Sequence, residues 1–324
     1  MIKAIRIHQT GGPEVMHWED VDVGDPGPGE VRLRQRAVGL NFIDVYHRTG
    51  LYPQPLPFTP GVEGAGVVSK VGSGVEGLKE GDRVAYAGPI GAYAEERLIA
   101  ADRLVKLPDD IGDEEAAAMM LQGMTVDMLI NRVRPLQKDE TILVHAAAGG
   151  VGLILCQWAS ALGATVIGTV STEEKAELAR ANGCDHPILY KSQDFVALVE
   201  EFTGGAKVPV VYDSVGKDTF LRSLDCLAPR GMMVSFGQSS GAIEPFSPGV
   251  LAQKGSLFLT RPTLFNYIAE RRELEQSATA LFDVVRSGKV RIDIGQRFPL
   301  ADAAEAHGAL EARQTTGSTV LTIS

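Results

Sequence analysis

The chain has 324 residues, 44% of them hydrophobic and 22% charged, which is enough apolar content for about two packed domains. Its 31 basic side chains against 41 acidic ones leave a net charge of −10, which works against broad nucleic-acid binding. Three scattered cysteines are too few for a disulfide frame or a zinc cage. No run approaches the ~18 apolar residues of a membrane helix, and "MIKAIRIHQTGG" alternates like a strand instead of carrying the apolar core of a secretory signal. A cytoplasmic protein with no membrane partner is expected.

The first third is rich in Gly and Pro. The stretches "IKAIRIH", "EVRLRQRAVGL", "GAGVVSKVG" and "DRVAYAG" alternate or carry β-branched residues, with turn signals such as "GDPGPGE" between them. They predict an antiparallel or barrel-like β domain holding one early helix, "FIDVYHRTG". Near residue 114 the texture changes to "EEAAAMMLQGMTVDMLINRV", a helix former. Strands and helices then alternate: "TILVHA" with "VGLILCQWASALG", "TVIGTV" with "EEKAELARANG", "VPVVYDSV" with "DTFLRSLDCLA", and then "GMMVSFG". Short apolar strands with helical crossovers predict a parallel sheet covered on both faces. "LFNYIAERRELEQSATALFDVVRSG" reads as one long helix and "LADAAEAHGALEAR" as another, and "STVLTI" is expected to return to the first domain.

The most informative stretch is "AAAGGVG", 146–152, between the strand "TILVHA" and the helix that follows. It fits the dinucleotide fingerprint G-x-G-x-x-G with Ala147 at the first glycine position. Gly149 lets the backbone approach a pyrophosphate, Gly152 lets the helix pack closely on the strand, and the amides of Gly150 and Val151 begin the helix that faces the phosphates. The plainer alternative is a tight turn with no ligand. The next strand ends at "GTVST", where an NAD enzyme places an acid against the ribose hydroxyls. Here Val170 is followed by Ser171 and Thr172, and Ser171 with Glu174 is expected to form a capping box. Without a carboxylate to repel it, a 2′-phosphate is accepted, with Lys175 the nearest cation. One charge-assisted hydrogen bond is worth about 1.5–3 kcal/mol, roughly a ten- to hundredfold preference. NADPH is therefore the expected cofactor.

Taken together, "NFIDVYHRTGLYP", "PGVEGAGVV", "AAAGGVG", "VVYDSVG" and "MVSFGQSSG" resemble the NADPH:quinone oxidoreductases, zeta-crystallins among them, a zinc-free branch of the medium-chain dehydrogenase/reductase superfamily. The resemblance covers essentially the whole chain. It implies an α/β protein with a GroES-like β-rich catalytic domain, 1–124 with 264–324, and a Rossmann doubly wound parallel-sheet NADPH-binding domain, 125–263. Zinc relatives have a cysteine ligand near Asn41 and "GHE" where this chain has "GVE", so Val62 stands in place of a histidine. A catalytic zinc needs three protein ligands, and no metal is expected.

The resemblance also implies roles. Asn41 and Tyr46 line the nicotinamide and substrate cleft, with Tyr52 at its mouth, and Thr125 lies by the nicotinamide or the phosphates. Ser171, Lys175 and Tyr190 flank the adenosine end with its 2′-phosphate, with Arg313 nearby. Phe236 and Gly237 approach the cofactor through backbone, followed by Ser239 and Ser240, and Arg261 belongs to the same wall. Each has a plainer alternative: half-buried aromatics for Tyr46 and Tyr52, a helix cap for Asn41, a surface aromatic for Tyr190, a helix-dipole partner for Arg313. Asp213 is expected to organise a strand-end turn, and Asp44 and His47 are assigned no chemistry.

The implied reaction is reduction of a quinone, or another flat electrophilic acceptor, by orientation instead of a Lewis acid. Asn41 and Tyr46 would donate to the developing oxyanion, with either Tyr46 or solvent as proton source. The same scaffold serves reductases of alkenal or enoyl double bonds, and some zeta-crystallins bind RNA or act as lens structural protein. The apolar edge "SLFLT" is expected to pair with its twin in a homodimer, as in the family.

Overall fold

A computed structural model describes residues 1–323. The β-rich first third begins with β1 (Ile2–Ile7) and β2 (Met16–Val21), an antiparallel pair. Then follow β3 (Glu30–Leu40), α1 (Phe42–Thr49), β4 (Glu63–Val71), β5 (Arg83–Ala87), β6 (Glu96–Ala100), β7 (Val105–Lys106) and α2 (Asp113–Asp127). Helix α2 continues into a π-helical stretch, Met128–Val133, so the long helix expected there changes pitch. Helix α1 ends where expected because Gly50 takes the left-handed conformation at φ 81°, open to glycine without strain.

The alternating region comprises β8 (Thr141–Val144), α3 (Gly150–Ala161), β9 (Thr165–Val170), α4 (Glu173–Ala181), β10 (His186–Leu189), α5 (Phe195–Phe202) and β11 (Val208–Asp213). It continues through α6 (Phe220–Ser223), β12 (Leu227–Ser235), α7 (Gly249–Gln253), β13 (Phe258–Thr260) and α8 (Leu264–Tyr267). Its six strands form one parallel sheet in the order β10-β9-β8-β11-β12-β13. Strands β8 and β11 sit at its centre, and Leu143, Val210 and Val211 are fully buried there. The continuous apolar runs in these strands thus reflect helices covering both faces.

Helix α9 (Arg271–Arg286), β14 (Ile294–Pro299), α10 (Ala303–Glu311) and β15 (Ser318–Thr322) complete the chain. A seven-stranded sheet runs β14-β15-β3-β4-β5-β7, with β6 also paired to β3, so the last strand does return to the first region. The single long helix expected over 264–288 is instead two, α8 and α9. The Arg103 guanidinium explains the break, since it takes the carbonyls of Ile268 and Ala269 at 3.3 and 2.8 Å, which a continuous helix would use itself. Contacts divide the chain into two units: 1–124 with 268–286 and 292–324, and 125–267 with 287–291. Among the described residues, no helix is long and apolar enough to cross a membrane.

Candidate functional site

In the second unit, α3 begins directly behind the glycine turn. Gly149 takes the N-cap position, and the first intrahelical bond runs from the Leu153 amide to the Gly149 carbonyl at 2.8 Å. The amides of Gly150, Val151 and Gly152 occupy the first helical positions, where no carbonyl of their own helix is available. That end also carries the positive pole of a twelve-residue helix, so the local chemistry suits a pyrophosphate. Ala147 is fully buried and its amide bonds the Thr169 carbonyl at 3.0 Å, tying the turn to β9. A Cβ on Gly152 would fall on the Ala146 carbonyl oxygen and lie 2.8 Å from Ala147 Cα, so only glycine permits this approach.

At the end of β9, Val170 is buried, Ser171 half-buried and Lys175 half-buried on the first turn of α4. The expected Ser171–Glu174 capping box is not formed. Thr172, in extended conformation, is the N-cap, and its hydroxyl accepts the Lys175 amide at 3.3 Å, because the helix starts one residue later than the sequence suggested. Tyr190 follows β10 and its amide bonds the Val170 carbonyl at 3.2 Å, which brings Val170, Ser171 and Tyr190 to the same end of neighbouring strands.

The end of β12 gathers another group. Arg261 donates to Ser235 Oγ at 3.2 Å and to the Gly237 carbonyl at 2.6 Å. Phe236 bonds through its amide to the Asp213 carbonyl, and a Cβ on Gly237 would lie 2.8 Å from Ser214 Cα. The Ser239 amide bonds the Ser214 carbonyl, while the Ser240 hydroxyl joins the Val215 carbonyl and the Asp218 amide, pinning the loop after β11. Asp213 is wholly consumed by that loop: it accepts from the amides of Val215 and Gly216 and from the Thr219 hydroxyl. The reading of Asp213 as a turn organiser holds. Thr125 is half-buried near the end of α2, and Arg313 is exposed just after α10 with φ 60°, on the first unit.

In the first unit, Asn41 and Tyr46 share α1. Asn41 stands at its N-cap, and Asp44 accepts the Asn41 amide at 2.9 Å. The Tyr46 and Tyr52 rings meet edge to face, centroids 5.2 Å apart, and the Tyr52 amide bonds the Tyr46 carbonyl at 3.0 Å. The three candidate cleft residues therefore lie on one short segment.

What lies behind them follows no sequence pattern. Glu63, within the quoted "GVEG", is fully buried on β4, and one of its oxygens accepts the Asn41 amide side chain at 2.7 Å. Its other oxygen accepts the Leu121 amide at 2.7 Å. Burial pushes the Glu63 carboxyl up to about 8, against the pull of its hydrogen bonds. Asp44, fully buried too, is pushed up to about 7 by burial, although Asn41 and Tyr93 donate to it. Tyr93 also meets His307 at 3.1 Å, and His307 meets Arg48 at 3.3 Å, which pairs with both oxygens of Glu311 at 2.8 and 2.9 Å. Burial and the Arg48 charge hold the His307 imidazole down at about 3, hence neutral. Its Nδ1 accepts from Arg48, which leaves Nε2–H to donate to Tyr93. Among the described residues, no three His, Cys, Asp or Glu side chains gather to hold a metal ion.

Residues 27–109 match the alcohol dehydrogenase GroES-like domain, and residues 150–282 match the zinc-binding dehydrogenase domain. A quinone oxidoreductase of Pseudomonas aeruginosa is 55% identical over 323 residues, covering 99% of each chain. A 2-haloacrylate reductase from a Burkholderia species is 49% identical over 330 residues, again covering 99% of each. Among solved structures, Escherichia coli quinone oxidoreductase complexed with NADPH superposes with a TM-score of 0.97 at 50% identity, covering 99% of each chain.

Proposed function

We propose, from the premise that this chain belongs to the quinone oxidoreductase family of the medium-chain dehydrogenase/reductase superfamily, that it reduces quinones with NADPH and without zinc. The observation that carries this reading is the glycine cradle at the head of α3, on a chain alike over its full length to an enzyme solved with NADPH. The amides of Gly150, Val151 and Gly152 hold the pyrophosphate. Ser171, Lys175 and Tyr190 take the adenosine end, with Arg313 contributing charge, and no carboxylate at Val170 or Ser171 opposes a 2′-phosphate. The walls formed by Thr125, Phe236, Gly237, Ser239, Ser240 and Arg261 orient the remainder. When bound, NADPH supplies the hydride.

Asn41 and Tyr46 donate hydrogen bonds to the acceptor oxygen as negative charge develops there, and Tyr52 braces the Tyr46 ring. Val62 occupies the position of the zinc relatives' histidine and has no donor atom, which supports a reaction without zinc.

The test is NADPH oxidation by a para-quinone in the presence of a metal chelator, with NADH and an alkenal run separately. The expected result is chelator-resistant turnover of NADPH with quinone, and slower NADH turnover by roughly ten- to hundredfold. Replacing Lys175 with methionine is expected to weaken NADPH binding about tenfold and leave NADH binding alone. A preference for NADH would overturn the reading of the β9 end. The haloacrylate-reducing relative at 49% identity supports one second reading, reduction of an activated carbon–carbon double bond. Turnover with the alkenal alone would select it.

The assembly we propose is a cytoplasmic homodimer. β13 is the edge of the parallel sheet, with Phe258 57% and Leu259 39% exposed, an apolar edge that pairing with a second copy would cover. Phe258→Lys is expected to convert a dimer to a monomer in sedimentation at micromolar concentration, and a wild-type monomer would reject the assembly.

A further inference from the structure

Four buried side chains from four separate stretches form one row in the first unit: Glu63 on β4, Asn41 before α1, Gln122 on α2 and Ser318 on β15. The spacings are 2.7 Å from Glu63 to Asn41, 3.1 Å from Asn41 to Gln122, and 2.7 Å from Gln122 to Ser318. The row ends at the Ala118 carbonyl, 2.9 Å from the Ser318 hydroxyl. Two primary amides stand in the middle, and each presents a donor at one end and an acceptor at the other.

Two arrangements of protons fit these spacings. With Glu63 ionised, it accepts from Asn41 Nδ2, Asn41 Oδ1 accepts from Gln122, and Gln122 Oε1 accepts from Ser318. The single Ser318 proton then cannot also reach Ala118, so one carbonyl oxygen is left facing lone pairs. With Glu63 protonated, every direction reverses. Glu63 donates to Asn41, Asn41 to Gln122, Gln122 to Ser318, and Ser318 to the Ala118 carbonyl, with every contact along the row satisfied.

We infer that Glu63 is a positioning residue: gain or loss of its proton turns the Asn41 amide end for end, exchanging the donor and acceptor that Asn41 offers beyond the row. This rests on the reading of Asn41 as a hydrogen-bond donor to the acceptor. Asp44 on α1 faces Glu63 as a like charge, and the Tyr86 and Tyr93 hydroxyls feel its charge from β5 and the following loop. Asp44 opposes ionisation in the same direction as burial, the hydrogen bonds from Asn41, Leu121 and Met120 favour it, and the two phenols stay neutral at this pH and add no charge. The changeover therefore falls at about pH 8, with the fully satisfied arrangement below it.

Glu63→Gln tests this. The Leu121 amide, 2.7 Å from Glu63, requires an acceptor, so the new side chain turns its carbonyl there and its NH2 toward Asn41. That fixes the low-pH arrangement. The experiment measures kcat for NADPH–quinone turnover from about pH 6.5 to about pH 9.5, each protein normalised to its own value at the acid end. The wild type is expected to change about fivefold, the worth of one polar contact exchanged, with a midpoint near pH 8, while Glu63→Gln stays flat. Asn41→Ala, which removes the amide that transmits the change, is expected to lose the step too. A wild type with no step, or a step that survives in either variant, overturns the inference. A protein that binds NADPH but does not turn over quinone overturns the functional reading instead.

Discussion

Gly152→Ala is expected to cost about 3 kcal/mol of stability, roughly 8 °C in melting temperature, and to weaken NADPH binding more than tenfold. The added Cβ meets only backbone, namely the Ala146 carbonyl and the Ala147 Cα and carbonyl carbon at 2.8 Å, so no side chain can rotate away. The turn cannot retreat either. Ala146 is already held at φ 56°, and Ala147 is buried and bonded to β9. Relief must come from α3 shifting outward, which displaces the amides that face the pyrophosphate. Gly149→Ala is the informative contrast: its Cβ would lie 3.3 Å from the Ala146 oxygen, in an extended conformation open to any residue. That variant should melt within about 1 kcal/mol of wild type. Thermal melts and NADPH titrations of both decide the matter, and a Gly152→Ala protein with wild-type melting would refute the close-approach argument.

Glu311→Ala is expected to destabilise the protein by about 3 kcal/mol, because it strands a buried cation. The Arg48 side chain is 1% exposed, whereas its partner carboxylate is 34% exposed. This asymmetry gives the pair a direction. Removing Glu311 leaves a guanidinium with only the Gly11 carbonyl and a neutral His307 for company. Removing Arg48 leaves a carboxylate that water can reach. The double variant Arg48→Met/Glu311→Ala should therefore be more stable than Glu311→Ala alone, since the isolated charge is gone. Urea unfolding of the three variants measures this, and a double variant less stable than the single one would contradict the burial asymmetry.

What the sequence disclosed depended on the range over which each feature is decided. The glycine turn, the left-handed end of α1 at Gly50 and the parallel sheet's apolar runs are set within a few residues, and all were legible. The N-cap of α4 falls one position beyond the residue that local preference favours, because Ser171 and Thr172 are both capping residues and the end of β9 chooses Thr172. The break between α8 and α9 was invisible for a different reason. It depends on Arg103, more than a hundred residues earlier. The support of Asn41 was the largest omission. Glu63 sits in a motif whose sequence signal is its neighbour Val62, and Gln122 and Ser318 carry no pattern linking them to it. Polar residues in apolar surroundings, as Glu63 is between "PGV" and "GAGVV", are the one local signal that something must satisfy them.

The place of β15 has a consequence for how the protein is made. Bracketed by β14 and β3, and with Val320 and Leu321 fully buried, it supplies the interior of a sheet in which β3 to β7 leave the ribosome far earlier. Until the last strand emerges, β3 presents a row of unbonded amides and carbonyls on that side. The parallel sheet suffers no such delay, since all its strands lie between residues 141 and 260. The order of synthesis thus matures the nucleotide half first and leaves the half bearing Asn41 and Tyr46 open, in need of protection from other nascent chains, until β15 has been made.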